Sequence, residues 1–408
     1  MASVTKIVLD HTKDVGVFSV GISESSARAA SEVLQDDLET HHIFFNDSGF
    51  HDHIVHHILT IYALGGSPDD IRAAYNNNKT YQLPAMATNS LLVQDLSDNA
   101  TFMAHLGEKD QYSNYLSFFQ NEIKAKGVER TIQEHIFAGT ELANNMLGRL
   151  YGGLIHPLIH LGFALEFNQP AIVAQALAET AVHEDELGRM FFWPADEKAK
   201  KNTKTSYRPF LQLVNEVKED SVIRSAVKKT DERKILALLT RAPERVLDLV
   251  AGYVVPEDKL EEATADMTNA VSYFTGAAQR PKKAVKLDFF LLHSVTCSLF
   301  FSKFISLPWL DRATKARMLE WKGRFDLLSY ASRGSPDLLL DEVSAYPVTN
   351  DWRAVFSRSC SHPGDDGHLP KLVRALAHGE QVCRTFEHKG VQDMPIRGGY
   401  VASDRKYG

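Results

Sequence analysis

Cysteine is scarce in this chain of 408 residues, which contains only Cys297, Cys360 and Cys383. An odd number of widely spaced cysteines without a CxxC pair argues against a disulfide framework and against a thiolate metal site. The N-terminal segment also lacks the apolar core of a signal peptide, because Lys6 and Asp10 interrupt it. We therefore expect a cytoplasmic protein.

The chain has no excess of positive charge and no long apolar run free of charged groups. Its formal net charge is −7 and its isoelectric point is about 6.2, whereas nucleic-acid binding needs a concentrated basic face. Residues 287–307 approach the length of a membrane span, but Asp288, His293 and Lys303 would each be costly in hydrocarbon. We expect neither a nucleic-acid partner nor a membrane, and a buried helix in this segment.

Strand-like alternation of apolar and polar residues is absent, and so are the GxGxxG and GxxxxGK[ST] phosphate loops. The sequence therefore predicts no cofactor-binding residue for a dinucleotide. Helix signals are frequent instead. Ser67 and Pro68 supply an N-cap and a first-turn proline, and residues 311–333 show apolar side chains at helical spacing.

These signals predict an all-α fold in which one large helical domain covers residues 1–408. Two stretches, at 195–208 and 341–352, are predicted as long surface loops. The tail from about residue 390 is predicted to be irregular.

Histidine is the residue that the chain has in abundance. Six of its 17 histidines lie between positions 41 and 57, immediately before and within an apolar helix. Imidazole is the commonest neutral metal ligand and titrates near neutral pH. Packing explains any one of these residues well, but it explains all six poorly. We therefore expect a metal site, a proton-transfer site or both.

Four predicted helices place histidine at apolar positions. Helix spacing of three or four residues puts side chains on one face about one turn apart. The histidines and the accompanying lysine are His53, His56 and His57 on the first helix, His156 and His160 on the second, His293 on the third, and His368 with Lys371 on the fourth. A single histidine of this kind is more often a core residue than a ligand, but four helices together favour an internal metal site in the helical domain.

The motifs HHIFFNDSGFHDHIVHHILTIYALGGSPDDI, GGLIHPLIHLGFALEFNQP, LLHSVT and DDGHLPKLVRAL occur in this order over nearly the whole chain. Together they resemble the questin oxidase family, whose fungal members include enzymes that oxidatively open anthraquinone rings in polyketide biosynthesis. The resemblance implies a non-haem iron centre held by four histidines and a carboxylated lysine.

Matched motif by motif, the implied ligands are His53, His156, His293, His368 and Lys371. His57 and His160 lie one turn beyond two of these ligands and are implied as catalytic residues that move protons. Family versions of the first motif often have Asn where this chain has Asp52. The hydrogen bonding beside His53 therefore needs its own account.

A lysine ammonium has three donors and no lone pair for a metal. Desolvation must first lower the pKa of Lys371 before its neutral amine can add CO2 and become a carbamate with carboxylate-like oxygens. Four neutral imidazoles and one carbamate would leave Fe(II) with a net charge of about +1 and, in octahedral geometry, one open position for O2.

We therefore predict an Fe(II)-dependent oxygenase that cleaves a ring C–C bond of an anthraquinone or anthrahydroquinone with O2. Three alternatives stay open: a Baeyer–Villiger-type oxidase that uses NADPH without a recognisable binding motif, a zinc or dinuclear hydrolase, and a non-catalytic helical binding protein. Metal analysis separates them, and the sequence leaves open whether the chain forms a homodimer.

Overall fold

The computed structural model describes residues 1–202 and 207–387. This part of the chain contains 21 α-helices and no β-strand, and extended pairing occurs only as three isolated bridges. The predicted all-α fold is confirmed.

In chain order the helices are α1 (Glu24–Thr40), α2 (Ile54–Ala63), α3 (Pro68–Asn78), α4 (Ser90–Asp95), α5 (Asn99–Ala104), α6 (Tyr112–Lys126), α7 (Val128–Ile132), α8 (Glu141–Leu150), α9 (His156–Glu166), α10 (Pro170–Val182), α11 (Trp193–Lys201), α12 (Phe210–Glu219), α13 (Ser221–Ala226), α14 (Lys234–Arg241), α15 (Pro243–Val250), α16 (Leu260–Ala277), α17 (Phe289–Ser306), α18 (Arg312–Ser332), α19 (Leu340–Ser344), α20 (Trp352–Cys360) and α21 (His368–Glu387).

The chain forms two compact units. The first comprises residues 1–188 and 350–374, and the second comprises the described residues within 189–349 and within 375–387. The first two turns of α21 therefore belong to the first unit. A single domain over residues 1–408 stays a prediction.

Two helices in the first unit have no exposed face. Every residue of α2 and of α9 is buried, and α9 packs against both α2 and α10. Burying one large aliphatic side chain contributes about 1.5–3 kcal/mol, so helices as apolar as these are stabilised by packing from all sides. Histidines on α2 and α9 must consequently lie inside the unit.

Local sequence signals explain where several helices begin. Ser67 accepts a hydrogen bond from the Asp70 backbone N–H at 3.2 Å, and the Asp70 carboxylate accepts one from the Ser67 N–H at 2.9 Å. This capping box starts α3 as the sequence predicts.

A buried ion pair joins α21 to α9 within the first unit. Arg374 in α21 pairs with Glu166 at the end of α9, with Nη1 and Oε2 3.0 Å apart, and its Nε donates to the Phe18 carbonyl.

In the second unit, α17 packs against α16 and α18. It is the one helix of the described chain that is long and apolar enough to cross a membrane, but 67% of its 18 residues are buried inside the protein. That burial agrees with the buried helix predicted for residues 287–307.

Both predicted surface loops contain helices, and to that extent the loop predictions are wrong. Residues 195–201 lie in α11, because Pro194 occupies its first turn and Asp196 is buried, accepting a hydrogen bond from the Trp321 indole N–H at 3.0 Å. In the other stretch Leu340–Ser344 form the short helix α19. The predicted irregular tail from about residue 390 lies outside the described residues.

Candidate metal centre

Three helix N-termini of the first unit bring histidines together. His53 is the N-cap of α2, His156 is the first residue of α9 and His368 is the first residue of α21. All three are buried, and one ligand atom from each lies within 4.8 Å of the ligand atoms of the other two. The structure thus joins three of the five residues predicted as ligands in one buried cluster.

The closest approach in this cluster joins His53 Nε2 and His156 Nε2, which are 3.0 Å apart. Two ligands that bind one ion at about 2.1 Å and at right angles lie about 3.0 Å from each other. The ring of His368 stands edge-on to that of His53, with 4.6 Å between centroids. The spacing suits a single metal ion.

Hydrogen bonds fix the tautomers of two of these rings. His156 Nδ1 donates to the Gly153 carbonyl at 2.6 Å, and His368 Nδ1 donates to the Asp366 carboxylate at 2.7 Å. Both partners only accept, so each Nδ1 bears the hydrogen and each Nε2 presents a lone pair. Hydrogen bonds of this kind are typical of histidines that ligate metals.

The backbone before His156 is strained. Leu154 and Ile155 adopt φ values of 55° and 60°, in the left-handed region that bulky side chains avoid. Such conformations cost about 1–3 kcal/mol each and are tolerated when the surroundings enforce them. Here they turn the chain so that His156 starts α9 facing His53.

Lys371 lies one turn into α21 and is 3% exposed. Its Nζ has no hydrogen-bond partner. Burial lowers the pKa of its ammonium to about 8, against the opposing attraction of Asp366 and Asp365. The Lys371 ammonium therefore loses its proton more readily than that of an ordinary lysine, which favours carbamate formation.

His293 belongs to the second unit, near the start of α17 in its second turn, and is fully buried. Its Nδ1 donates to the Phe289 carbonyl at 2.7 Å, which assigns the lone pair to Nε2 as in His156. The ring also stands edge-on to that of Phe289 at 4.9 Å. Its role as a ligand stays a prediction.

The two residues predicted to be catalytic have different surroundings. His57 Nδ1 lies 2.7 Å from the Asn78 amide nitrogen, and burial lowers its pKa to about 3. Neither ring nitrogen of His160 makes a hydrogen bond, although its Nδ1 lies 3.3 Å from Oε2 of Glu179. Burial also lowers the pKa of His160 to about 3. His57 is therefore held by a hydrogen bond between α2 and α3, whereas no hydrogen bond fixes the ring of His160, which is the less constrained of the two.

The sequence places His56 on the same helix as His53 and His57 but assigns it no role in the site, and it leaves open whether His56 replaces an assigned ligand. Both its ring nitrogens are buried without a hydrogen-bond partner, and its centroid lies 5.9 Å from that of His53 and 5.2 Å from that of His160. The i,i+3 spacing from His53 was the available signal. His56 rather than His57 lies among the clustered rings.

His51 and His183 extend the cluster. The His51 ring stacks on His156 with 4.1 Å between centroids, and its Nε2 lies 3.0 Å from Nε2 of His183. The Glu184 backbone N–H donates to His183 Nδ1 at 2.9 Å, so His183 Nε2 bears the hydrogen and donates to His51. No sequence spacing links His183 to His51, since 132 residues separate them.

Asp52 stands where family versions of the first motif often have Asn, and its side chain bonds to the backbone of α2 rather than to the His53 ring. Its Oδ1 accepts from the Ile54 backbone N–H at 2.8 Å at the start of α2. Burial first, and then the neighbouring Asp37, raise its pKa well above the usual value. Asp37, Asp52 and His41 bring their ligand-type atoms within 4.8 Å of one another. The two carboxyl groups share a hydrogen bond.

Comparison with known proteins identifies the family of the chain. The family model described as questin oxidase-like matches residues 50–376. A questin oxidase of Aspergillus terreus is 37% identical over 98% of this chain and 90% of its own length, and the Baeyer–Villiger oxidase ptaJ of Pestalotiopsis fici is 37% identical over 92% and 86%. The oxidoreductase AflY of Aspergillus parasiticus is 36% identical over 96% and 80%. The resemblance drawn from the motifs is confirmed: the chain is an oxidoreductase that belongs to the questin oxidase-like family.

Proposed function

We propose that the protein is a non-haem Fe(II)-dependent oxygenase that opens a ring of an anthraquinone-type polyketide with O2. The strongest support is the buried cluster in which His53, His156 and His368 bring their ligand atoms within 4.8 Å of one another. Lys371, on the same helix as His368, has a buried Nζ without a hydrogen-bond partner. The names of the relatives, a questin oxidase and Baeyer–Villiger oxidases, support the ring-opening class and the substrate class.

The donor set fits ferrous iron. The lone-pair nitrogens of His156 and His368 are fixed by their own hydrogen bonds, so they need no rearrangement to bind a cation. A carbamate on Lys371 would add one negative charge in the first turns of α21, where the helix dipole favours an anion. When bound, ferrous iron supplies the activation of O2.

The remaining histidines would hold and move protons. A phenolic substrate must lose its hydroxyl proton to become electron-rich enough for oxidation, and a neutral imidazole whose ring nitrogen makes no other hydrogen bond can accept that proton. His160 meets that description in the first unit. Exclusion of water by the apolar helices α2 and α9 strengthens each of these polar contacts.

One alternative has a specific observation in its favour. Several relatives are named Baeyer–Villiger oxidases or monooxygenases, and Baeyer–Villiger oxidation commonly uses NADPH. Under that function NADPH supplies the electrons, and the histidine cluster has another role.

The deciding experiment measures both metal content and cofactor demand. The protein is loaded with iron under anaerobic conditions, analysed for iron, and incubated with a panel of hydroxyanthraquinones under 18O2 with and without NADPH. The proposal expects about one iron per chain, ring-opened product containing 18O, and loss of iron in His53→Ala. Full turnover by metal-free protein with NADPH would contradict it and support the alternative.

A further inference from the structure

Glu179 occupies an unusual position for a carboxyl group. It lies in the last turns of α10, is 1% exposed, and neither of its side-chain oxygens makes a hydrogen bond. A buried carboxyl group without hydrogen bonds is costly for folding. It plays no part in capping α10, whose C-cap bond is made by the His183 backbone N–H.

Two histidines from other parts of the first unit face this carboxyl group. His160 in α9 places Nδ1 3.3 Å from Oε2, and His51 places Nε2 3.7 Å from Oε1. Neither contact is aligned as a hydrogen bond. The His51 ring also stacks on the candidate ligand His156. Glu179 therefore contacts His51, which stacks on the histidine cluster, on one side and the catalytic candidate His160 on the other.

The nearest other titratable groups are acidic. Asp52, before α2, adds to the effect of burial in raising the pKa of Glu179 well above its usual value. Tyr112 in α6 has its own pKa raised by burial and by nearby carboxyl groups that include Glu179. Gln175, one turn earlier in α10, lies near His160 and opposes the larger effect of burial on the pKa of His160. No lysine or arginine of the described residues forms an ion pair with Glu179, and its two contacts below 4 Å with basic side chains are to these histidines.

Once Glu179 has lost its proton, its carboxylate can only accept hydrogen bonds. Placed beside Nδ1 of an imidazole, it favours the tautomer with the hydrogen on Nδ1 and leaves Nε2 with the lone pair that a base needs. It also stabilises the imidazolium that forms when Nε2 takes up a proton. His160 Nε2 has no hydrogen-bond partner within the described residues.

We propose that Glu179 is a positioning residue that holds His160 in the Nδ1–H tautomer and stabilises its charged form. This inference rests on the proposed function, in which His160 Nε2 takes the proton of a phenolic hydroxyl. The O–H bond breaks, its electron pair stays on the phenolate oxygen, and a new N–H bond forms on His160. Glu179 itself touches neither the substrate nor the reacting atoms.

The proposal makes a prediction about pH. Because burial and Asp52 favour the protonated carboxyl group, the Glu179–His160 pair holds an extra proton at low pH and must lose it before His160 can act as a base. The kcat/KM of the wild type should therefore rise with pH as this proton leaves. In Glu179→Gln the rise should shift to lower pH, since burial alone makes His160 hard to protonate.

The first test is NMR of the ring nitrogens, with no turnover required. Histidine-15N protein is loaded with Zn(II), which is diamagnetic, and the His160 signals are assigned with His160→Gln. At pH 8 the wild type should show the Nδ1–H tautomer and Glu179→Gln a mixture or the Nε2–H form. The Nε2–H form in the wild type would overturn the proposal, even if Glu179→Gln does not fold.

The second test is kinetic. Glu179→Gln should lower kcat by about 10- to 100-fold with a smaller change in KM, and Glu179→Asp should recover part of the loss. Glu108→Gln is the matched control, because Glu108 forms an exposed pair with His105 at 2.8 Å. An unchanged pH profile in Glu179→Gln would overturn the proposal.

The two tests separate this inference from the proposed function. If the iron-loaded wild type turns over no anthraquinone, the proposed function fails, while the NMR result still decides whether Glu179 sets the tautomer of His160. If turnover is normal and the tautomer is Nε2–H, only the role of Glu179 fails.

Discussion

Asp365 and Asp366 are neighbours in the chain, yet their carboxylates face different partners. Asp365 accepts the Gly367 backbone N–H at 2.7 Å and thereby caps the start of α21. Asp366 accepts the Nδ1 hydrogen of His368 at 2.7 Å, and its other oxygen lies 3.9 Å from Nδ1 of His53. Asp365 also accepts the Leu369 backbone N–H at 3.3 Å and so acts on the helix backbone. Asp366 accepts the His368 backbone N–H at 3.4 Å and in addition orients the ring of His368, a candidate ligand.

This division of roles predicts different effects for two matched substitutions. Asp366→Asn should weaken metal binding by about 10- to 100-fold, because the charge that orients His368 is lost. Asp365→Asn should preserve most of the metal affinity, since Asn also caps helices well. Titration of each metal-free variant with Co(II), followed by absorbance, measures the difference. Equal affinities in the two variants would contradict the role given to Asp366.

Lys371 should be required for iron retention. Lys371→Ala removes the group that would form the carbamate, so iron content and turnover should both fall, and added short carboxylic acids should restore part of the activity by occupying the vacated position. Lys124→Ala, a change at an exposed lysine, is the control. Normal iron content in Lys371→Ala would show that the lysine is no ligand.

The same residue should make recovery from acid depend on pH and bicarbonate. Acid removes the carbamate, and only the neutral amine adds CO2 again. Since burial lowers the pKa of Lys371 to about 8, the neutral fraction grows as pH rises toward and beyond 8. After exposure to acid, activity should return faster at pH 8 than at pH 6.5, and bicarbonate should speed the return. Recovery that is independent of bicarbonate would contradict this.

Gly367 should be intolerant of substitution. Its φ is +100°, and a Cβ there would lie 2.7 Å from Cβ of His57. Gly367→Ala should therefore reduce stability by about 2–4 kcal/mol, from backbone strain and overpacking together. Gly364→Ala has a similar φ of +73° but open space around it, so only the strain should appear. Thermal unfolding of both variants measures the difference.

Asp37 should make the stability of the protein depend on pH. Burial raises its pKa to about 7 from an ordinary 3.8, so the folded state binds a proton that the unfolded state has released between those values. Stability from this group is present at low pH and falls as pH rises from about 4 to 7. Asp37→Asn needs no proton and should flatten that decline, with the largest relative gain above pH 7. A parallel decline in both proteins by urea unfolding would contradict the assignment.

Much of the fold could be predicted because its signals are local. The capping residues before α3 and the helical spacing of residues 311–333 depend on neighbours in sequence, and both segments are helical in the structure. The segment at 195–201 could not be recognised as a helix in the same way. Its lysines and acids suggest a surface loop, while the buried hydrogen bond between Asp196 and Trp321 forms only on folding.

In the candidate site, too, local signals could be recognised in the sequence and contacts formed on folding could not. The family motifs implied His53, His156 and His368 as ligands, whereas helix spacing alone does not determine which of two neighbouring histidines faces the cluster. His56 lies among the rings, and His57 contacts Asn78 instead. Glu179 had no motif at all, because its role depends on the packing of α10 against α9.

The most direct test of the metal centre is an iron anomalous difference map from crystals of the iron-loaded protein. The account predicts one peak bonded to Nε2 of His53, His156 and His368 at about 2.0–2.3 Å, with carbamate density on Lys371. No peak among these histidines, or a bare Lys371 amine beside a fully ligated iron, would contradict it.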